Sequence, residues 1–210
     1  MLKGETIYLR MLEPEDWELT YKWHNDTEIQ RLTCGPIRIV SKEIEKAWVN
    51  SKATNNRNDL YLAICLNSDD RMVGYTSISD IDNFNQSCFW SGIVIGDKKY
   101  QDGIVLAEST MLLLNYIFTQ MNMYRATGTC LSNHLFSNAM LNAFYFQKEG
   151  VERSSVYKNG RFNDVCLYSL LRDEYLLHLE NGEYNVKELI KGIFKHFKKI
   201  RRESKDREQQ

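Results

Sequence analysis

The sequence contains no CxxC pair and no cysteine and histidine cluster at metal-ligand spacing, although five cysteines are spread along its 210 residues. The common zinc-site patterns are therefore excluded and no metal is expected, while an odd number of cysteines argues against a closed disulfide framework. Four of the five stand in apolar runs, where a free thiol acts as a small buried hydrophobe, and a reducing cytoplasm is the expected compartment. An excess of charge of one sign is also lacking. With 27 Lys and Arg against 28 Asp and Glu, the formal net charge is -1, and no overall field draws in nucleic acid. Long apolar runs are absent too. Charges interrupt the opening MLKGETIYLRML before the apolar core of a signal peptide can form, and no stretch approaches a membrane span, so a soluble protein is expected.

What is present suits one compact domain with an appendage: 43% hydrophobic and 26% charged residues over this length. Thr6 to Met11 reads as a first strand. Pro14, Glu15 and Asp16 open a helix through Tyr21 and Trp23, because proline and acids suit a first turn, and Trp23 to Asp26 closes it. Ser41 starts a second helix with Ile44, Trp48 and Val49 at helical spacing, broken by the polar run Asn55 to Asp59. Three apolar runs follow, Leu60 to Leu66, Met72 to Ile81 and Cys88 to Ile95. Turn-formers separate them, which predicts an antiparallel meander.

Leu106, Leu113, Leu114, Ile117 and Met121 then line one helical face, followed by a strand from Tyr124 to Cys130 and a helix from Leu135 to Phe146. Asn159-Gly160 between two strand-like runs predicts a hairpin, and the core is expected to end near Leu171. Beyond Gly182, Val186, Leu189, Ile190, Ile193, Phe194, Phe197 and Ile200 recur at helical spacing among lysines and arginines. This basic amphipathic helix is expected to pack on the domain or on a second subunit, so a homodimer is compatible with it. Binding to a membrane surface or a polyanion is the other reading. Arg202 to Gln210 lacks an apolar face and is expected to fray.

Gly92-Ile93-Val94-Ile95-Gly96, followed by Asp97-Lys98-Lys99-Tyr100, resembles the central strand E-I-G-I-x-I-G and the helix opening Y-W-G-K-G-Y-G of GNAT acetyltransferases. The similarity is to the branch containing ribosomal-protein N-terminal and spermidine acetyltransferases. Trp23-His24-Asn25-Asp26 resembles that branch's W-x-N-D, and Phe146 to Val151 its G-F-x-x-E-G-V. The resemblance covers roughly Leu2 to Arg172. It implies an α/β (α+β) GNAT fold, a mixed and mostly antiparallel central sheet flanked by helices over residues 1–173, with a C-terminal helical extension over 174–210.

The resemblance implies acetyl-CoA, or another short acyl-CoA, as co-substrate. It places Ile93, Val94 and Ile95 at the thioester arm, and Gln101, Asp102, Gly103, Ile104, Val105 and Leu106 at the pyrophosphate, which a helix start suits through its free N–H groups and dipole. Asn133 or His134 is implied at the pantetheine arm. Ile104 and Leu106 replace family glycines, and Asp102 adds negative charge. Two readings follow: the loop keeps its N–H donors with the side chains turned into the core, which is favoured, or coenzyme binding is lost and the fold serves as a non-catalytic binding module.

The family's strand glutamate falls at Trp90 and its tyrosine acid at Leu141. Proton-transfer candidates are then His24, Asp82, His134, Ser137 and Tyr145, with a water relay as the alternative. A small-molecule amine is the expected partner, with Trp23, His24, Asn25, Asp82 and Trp90 as expected acceptor contacts. The W-x-N-D segment and the missing strand acid are similar to sugar-nucleotide N-acyltransferases, so a nucleotide-linked amino sugar is the preferred acceptor. Glu13, Glu15, Asp16 and Glu18 keep a polyamine as an alternative, and a protein N-terminus is a third.

Overall fold

The computed structural model describes residues 1–54 and 57–208, with side chains placed up to residue 204. One eight-stranded sheet runs through it in the order β1-β2-β3-β4-β5-β6-β8-β7. Its strands are β1 (Leu2–Lys3), β2 (Ile7–Met11), β3 (Leu60–Leu66), β4 (Met72–Asp82), β5 (Ser87–Ile95), β6 (Arg125–Leu131), β7 (Gln147–Lys158) and β8 (Arg161–Leu171). Every neighbouring pair is antiparallel except β5 and β6, which the crossover helix α4 (Ile104–Asn115) joins. The mixed, mostly antiparallel sheet flanked by helices is the expected one.

Side chains alternate across a strand, so each strand feeds two layers. Tyr8, Ala63 and Cys65 join Leu12 and Trp23 beneath the helices α1 (Trp17–His24), α2 (Thr27–Leu32) and α3 (Lys42–Thr54). Ile7, Leu9, Leu62 and Ile64 face the other way, into the larger core under α4 and α5 (Leu135–Ala143). Three helices follow the first strand instead of two. Asp26 stops α1 only to start α2, because its carboxylate accepts the Glu28 N–H at 2.8 Å and the Ile29 N–H at 3.3 Å. The polar break read over Asn55 to Asp59 falls partly on residues 55–56, outside the described residues.

The helix α6 (Arg172–Glu180), which sequence periodicity did not announce, follows β8 without a gap. It leads to α7 (Val186–Glu208), the basic amphipathic helix. This helix packs on the domain: Leu189 and Ile193 are buried in the larger core, and Phe197 meets Phe136 edge to face at 6.5 Å. Gly192 lets the helix sit close on α5, since a Cβ there would lie 3.3 Å from that of Ala143. Tyr184 fixes the entry by donating to the Phe144 carbonyl at 2.9 Å. The helix is continuous to Glu208, and residues 209–210 lie outside the described residues.

One buried acid holds the edge of the sheet. Glu108 on α4 is buried and accepts the N–H groups of Glu5 and Thr6, the latter at 3.0 Å, with Gly4 leaving room for its carboxylate. Glu108→Ala strands those donors, which costs about 1–3 kcal/mol. Thermal unfolding should show a fall of several degrees, and an unchanged melting temperature would refute the role.

Candidate active site

The two parallel strands pair only over a short stretch. Ser87 to Trp90 of β5 lies against Arg125 to Gly128 of β6, after which both strands continue without pairing and part. The cause is a bulge. In the β4–β5 register, Ser77 faces Gly92 but Ile78 faces Trp90, which leaves Ser91 as the extra residue. Gly92 has φ +113°, a conformation that side chains disfavour, and the bulge bends β5 away from its neighbour.

A buried threonine fastens this bend. Thr76 donates to the Gly92 carbonyl at 2.9 Å and accepts the Trp90 indole N–H at 3.2 Å. Beyond the bend, Ile93, Val94 and Ile95 still pair with β4 on one side. In a strand, alternate N–H and C=O groups point to either side, so half of them face the parting. The result is an internal strand edge opened by design of the backbone.

At the end of β5 the chain turns into α4. Gln101 folds back, its side-chain amide donating to the Ile95 carbonyl at 2.8 Å. Gly103 caps the helix with φ +95°, and Asp102 accepts the Ile104 N–H at 2.9 Å. The N–H groups of Gly103, Val105 and Leu106 make no hydrogen bond among the described residues. Ile104 projects outward and is 41% exposed, whereas Leu106 packs against the larger core.

A family model described as an acetyltransferase (GNAT) domain matches residues 6–147. The chain belongs to the GNAT acetyltransferase family. It is similar to the uncharacterized N-acetyltransferase YnaD of Bacillus subtilis, 23% identical over 80% of this chain and 95% of that one. It is likewise similar to the N-acetyltransferase p20 of Bacillus licheniformis, 26% identical over 83% and 97%. Among solved structures, a spermidine N-acetyltransferase from Vibrio cholerae, in complex with CoA and spermine, shares the fold. It superposes with TM-score 0.74 at 19% identity, covering 81% of this chain and 98% of that one. A GNAT acetyltransferase from Bacillus anthracis gives TM-score 0.71 at 19% identity over 82% and 99%.

As a GNAT enzyme the chain is an acyl-CoA-dependent N-acetyltransferase, and two features fit that co-substrate. The parted edge at Ile93 to Ile95 offers backbone partners to an extended arm, and the start of α4 keeps three N–H donors for a phosphate. Of the bulky residues at 104 and 106, one projects outward and the other turns to the core, while Val105 between them is buried and Ile190 of α7 lies 3.7 Å from where a Cβ on Gly103 would stand. Asp102 takes one donor for itself.

The other expected contacts are placed as follows. Trp90 is 3% exposed and belongs to the core on the α4 face, 5.7 Å from the ring of Phe146, so it braces the bulge and presents no ring to an acceptor. Trp23 lies over Gly96 and stacks on Tyr75 at 6.2 Å. Asn25 ties the chain after α2, accepting from the Val40 N–H at 3.0 Å and donating to the Tyr21 carbonyl at 2.9 Å. The W-x-N-D segment thus sets the backbone path. His24 has both ring nitrogens engaged at 2.9 Å, by buried Glu45 and by Tyr75. Tyr75 and Glu45 were not singled out in the sequence, because their partner is remote along the chain.

Asp82 closes the β4–β5 turn, accepting from Phe84 and Asn85 at 2.9 Å, and these backbone bonds hold its carboxyl below the ordinary range. It sits at the opposite end of β5 from the parting. Tyr145 is stacked between α6 and the following turn, with the His178 ring 3.7 Å away. Ser137 lies in the first turn of α5, where its N–H donates to His134 Nδ1 at 3.2 Å. Asn133 leans toward Asn163 at 3.4 Å. Of the five proton-transfer candidates, His24 has both ring nitrogens taken and Asp82 lies at the far end of β5, whereas the Ser137 and Tyr145 hydroxyls and His134 Nε2 make no hydrogen bond among the described residues.

His134 has a measurable signature. Its Nδ1 accepts a bond, so the cap is made by the neutral ring, and burial lowers its pKa from the ordinary 6.5. The unfolded chain binds the proton more readily, so this contribution to stability is complete above that value. It is lost as pH falls through the depressed folded value. Urea midpoints should therefore fall from about pH 7 to about pH 5, and His134→Asn, which keeps a capping side chain, should flatten that fall. An identical pH slope in both proteins would rule the assignment out.

Proposed function

We propose that this enzyme transfers an acetyl or short acyl group from acyl-CoA to the primary amine of a nucleotide-linked amino sugar. The observation that carries the acyl-transfer reading is the backbone edge opened by the bulge at Ser91 and Gly92. The coenzyme supplies an activated thioester. The backbone N–H of Ile93, on the open side of β5, polarises its carbonyl because it is fixed before charge develops on the oxygen, whereas the Val94 peptide group is turned to β4. The amine nitrogen attacks the carbonyl carbon, the C–N bond forms as the C–S bond breaks, and the amine proton leaves while the thiolate gains one. With both ring nitrogens of His24 engaged and Asp82 at the far end of β5, a water relay is the favoured proton carrier.

The acceptor assignment is supported by the absence of an acid on the reacting strand, where Trp90 stands and turns into the core. A cationic acceptor finds no carboxylate there. A polyamine is the second reading, favoured by the fold shared with a spermidine N-acetyltransferase. CoA release, followed with a thiol reagent, separates them. Turnover is expected with dTDP- or UDP-amino sugars, and turnover of spermidine or short peptides alone would replace the assignment. Acyl-CoA should also raise the melting temperature, and no response at millimolar ligand would return the fold to a binding module.

A further inference from the structure

A cleft of about 370 Å³ opens between the end of α2, the β6–α5 turn and the tip of the β7–β8 hairpin. Cys130 of β6 points into the core under α4 and α5, so its neighbour Leu131, which lines the cleft, points to the opposite face. The cleft therefore lies on the α1–α3 side of the sheet, at the end where β5 and β6 part. The start of α4 lies across the sheet from it. Cys34 marks the same region: its thiol is buried against Thr129 and the Leu131 backbone, and burial pushes its pKa up.

The lining is cationic, with Arg31, Lys158 and Arg161 beside Asn133, His134 and Asn163, and no carboxylate among the lining residues. Lys158 is 4% exposed. Its ammonium donates to the carbonyls of Gln30, at 2.7 Å, and Thr33, but meets no acidic partner, and burial lowers its pKa. Arg31 and Arg161 are exposed and have neither an ion pair nor a side-chain hydrogen bond among the described residues. On the strand that carries Arg161, the Asp164 carboxylate is turned to the Ser154 N–H at 2.8 Å.

Three cations gathered without a counter-charge, one of them buried, repel one another unless an anion joins them. Planar guanidinium groups and an ammonium with a spare donor suit the oxygens of a phosphate. A polycation is disfavoured by the same charges. We propose that this cleft is the subsite for the phosphate or diphosphate of the amine acceptor, held by Arg31, Lys158 and Arg161. The proposal rests on the amine-acceptor reading above and adds the place where the acceptor's charge is held.

The same phosphate chemistry is carried by the coenzyme, so the test must tell the sources apart. Calorimetry on the full chain, with UDP as the probe and CoA absent or saturating, does so without requiring turnover. UDP is expected to bind in both cases and to weaken with added salt. In Arg31→Glu/Arg161→Glu its affinity should fall at least roughly tenfold, the scale of one lost charge-assisted contact, with CoA affinity and melting temperature unchanged. UDP displaced by CoA would give the cleft to the coenzyme and overturn the proposal. So would no UDP binding at millimolar concentration, or equal binding by the variant. Failure to find an amine that turns over would count against the proposed reaction and leave the UDP result standing on its own.

Discussion

Gly74→Ala is expected to lower kcat/KM by about a hundredfold, the scale of loss when a reacting group is misplaced by about 1 Å. Gly74 sits on β4 opposite Ile95, and a Cβ there would lie 2.3 Å from the Val94 carbonyl oxygen and 3.1 Å from the Ile95 Cα. Both atoms are backbone, so no side chain can swing aside. β5 must move as a strand, and the segment that moves is the one that carries the N–H assigned to the thioester. Overpacking of this kind also destabilises by about 1–3 kcal/mol. Gly150→Ala is the matched control, since its added Cβ meets nothing within 4 Å. A Gly74→Ala enzyme that retains control-level kcat/KM would show that β5 is not the reacting strand.

Ending the chain before Val186 should have the second large effect, now on stability. It removes Leu189 and Ile193, which are 1% and 2% exposed, and each fully buried aliphatic side chain contributes about 1.5–3 kcal/mol. For a chain of this size the melting temperature should fall by about 10 °C or more. It would also uncover Phe136 and the face of α5 on which Gly192 rests. Light scattering should then report self-association. An unchanged melting curve would mean that α7 docks without stabilising the domain.

The order of strands and helices was legible because local pattern reports it: apolar runs bounded by turn-formers in β3 to β5, helical spacing in α4, α5 and α7. The short elements were not. α2 has too few residues for a periodic signal, and Asp26 served equally as the end of one helix and the cap of the next. The site was legible only in part. Gly92 to Tyr100 pointed to the strand that the proposed reaction uses, but the role of Trp90 depends on Thr76, a partner on another strand, and on which sheet face the bulge assigns to it. The cationic cleft assembles Arg31 with Lys158 and Arg161 from distant segments, and no spacing rule joins them.

Lys158 ties the hairpin tip to the end of α2 through main-chain oxygens alone, those of Gln30 and Thr33. A carbonyl is the same whatever side chain it carries. The strut therefore registers the path of that segment and is indifferent to its spelling. Side chains around it can drift as the acceptor changes while the wall of the cleft keeps its position, so substrate range and architecture can evolve separately here.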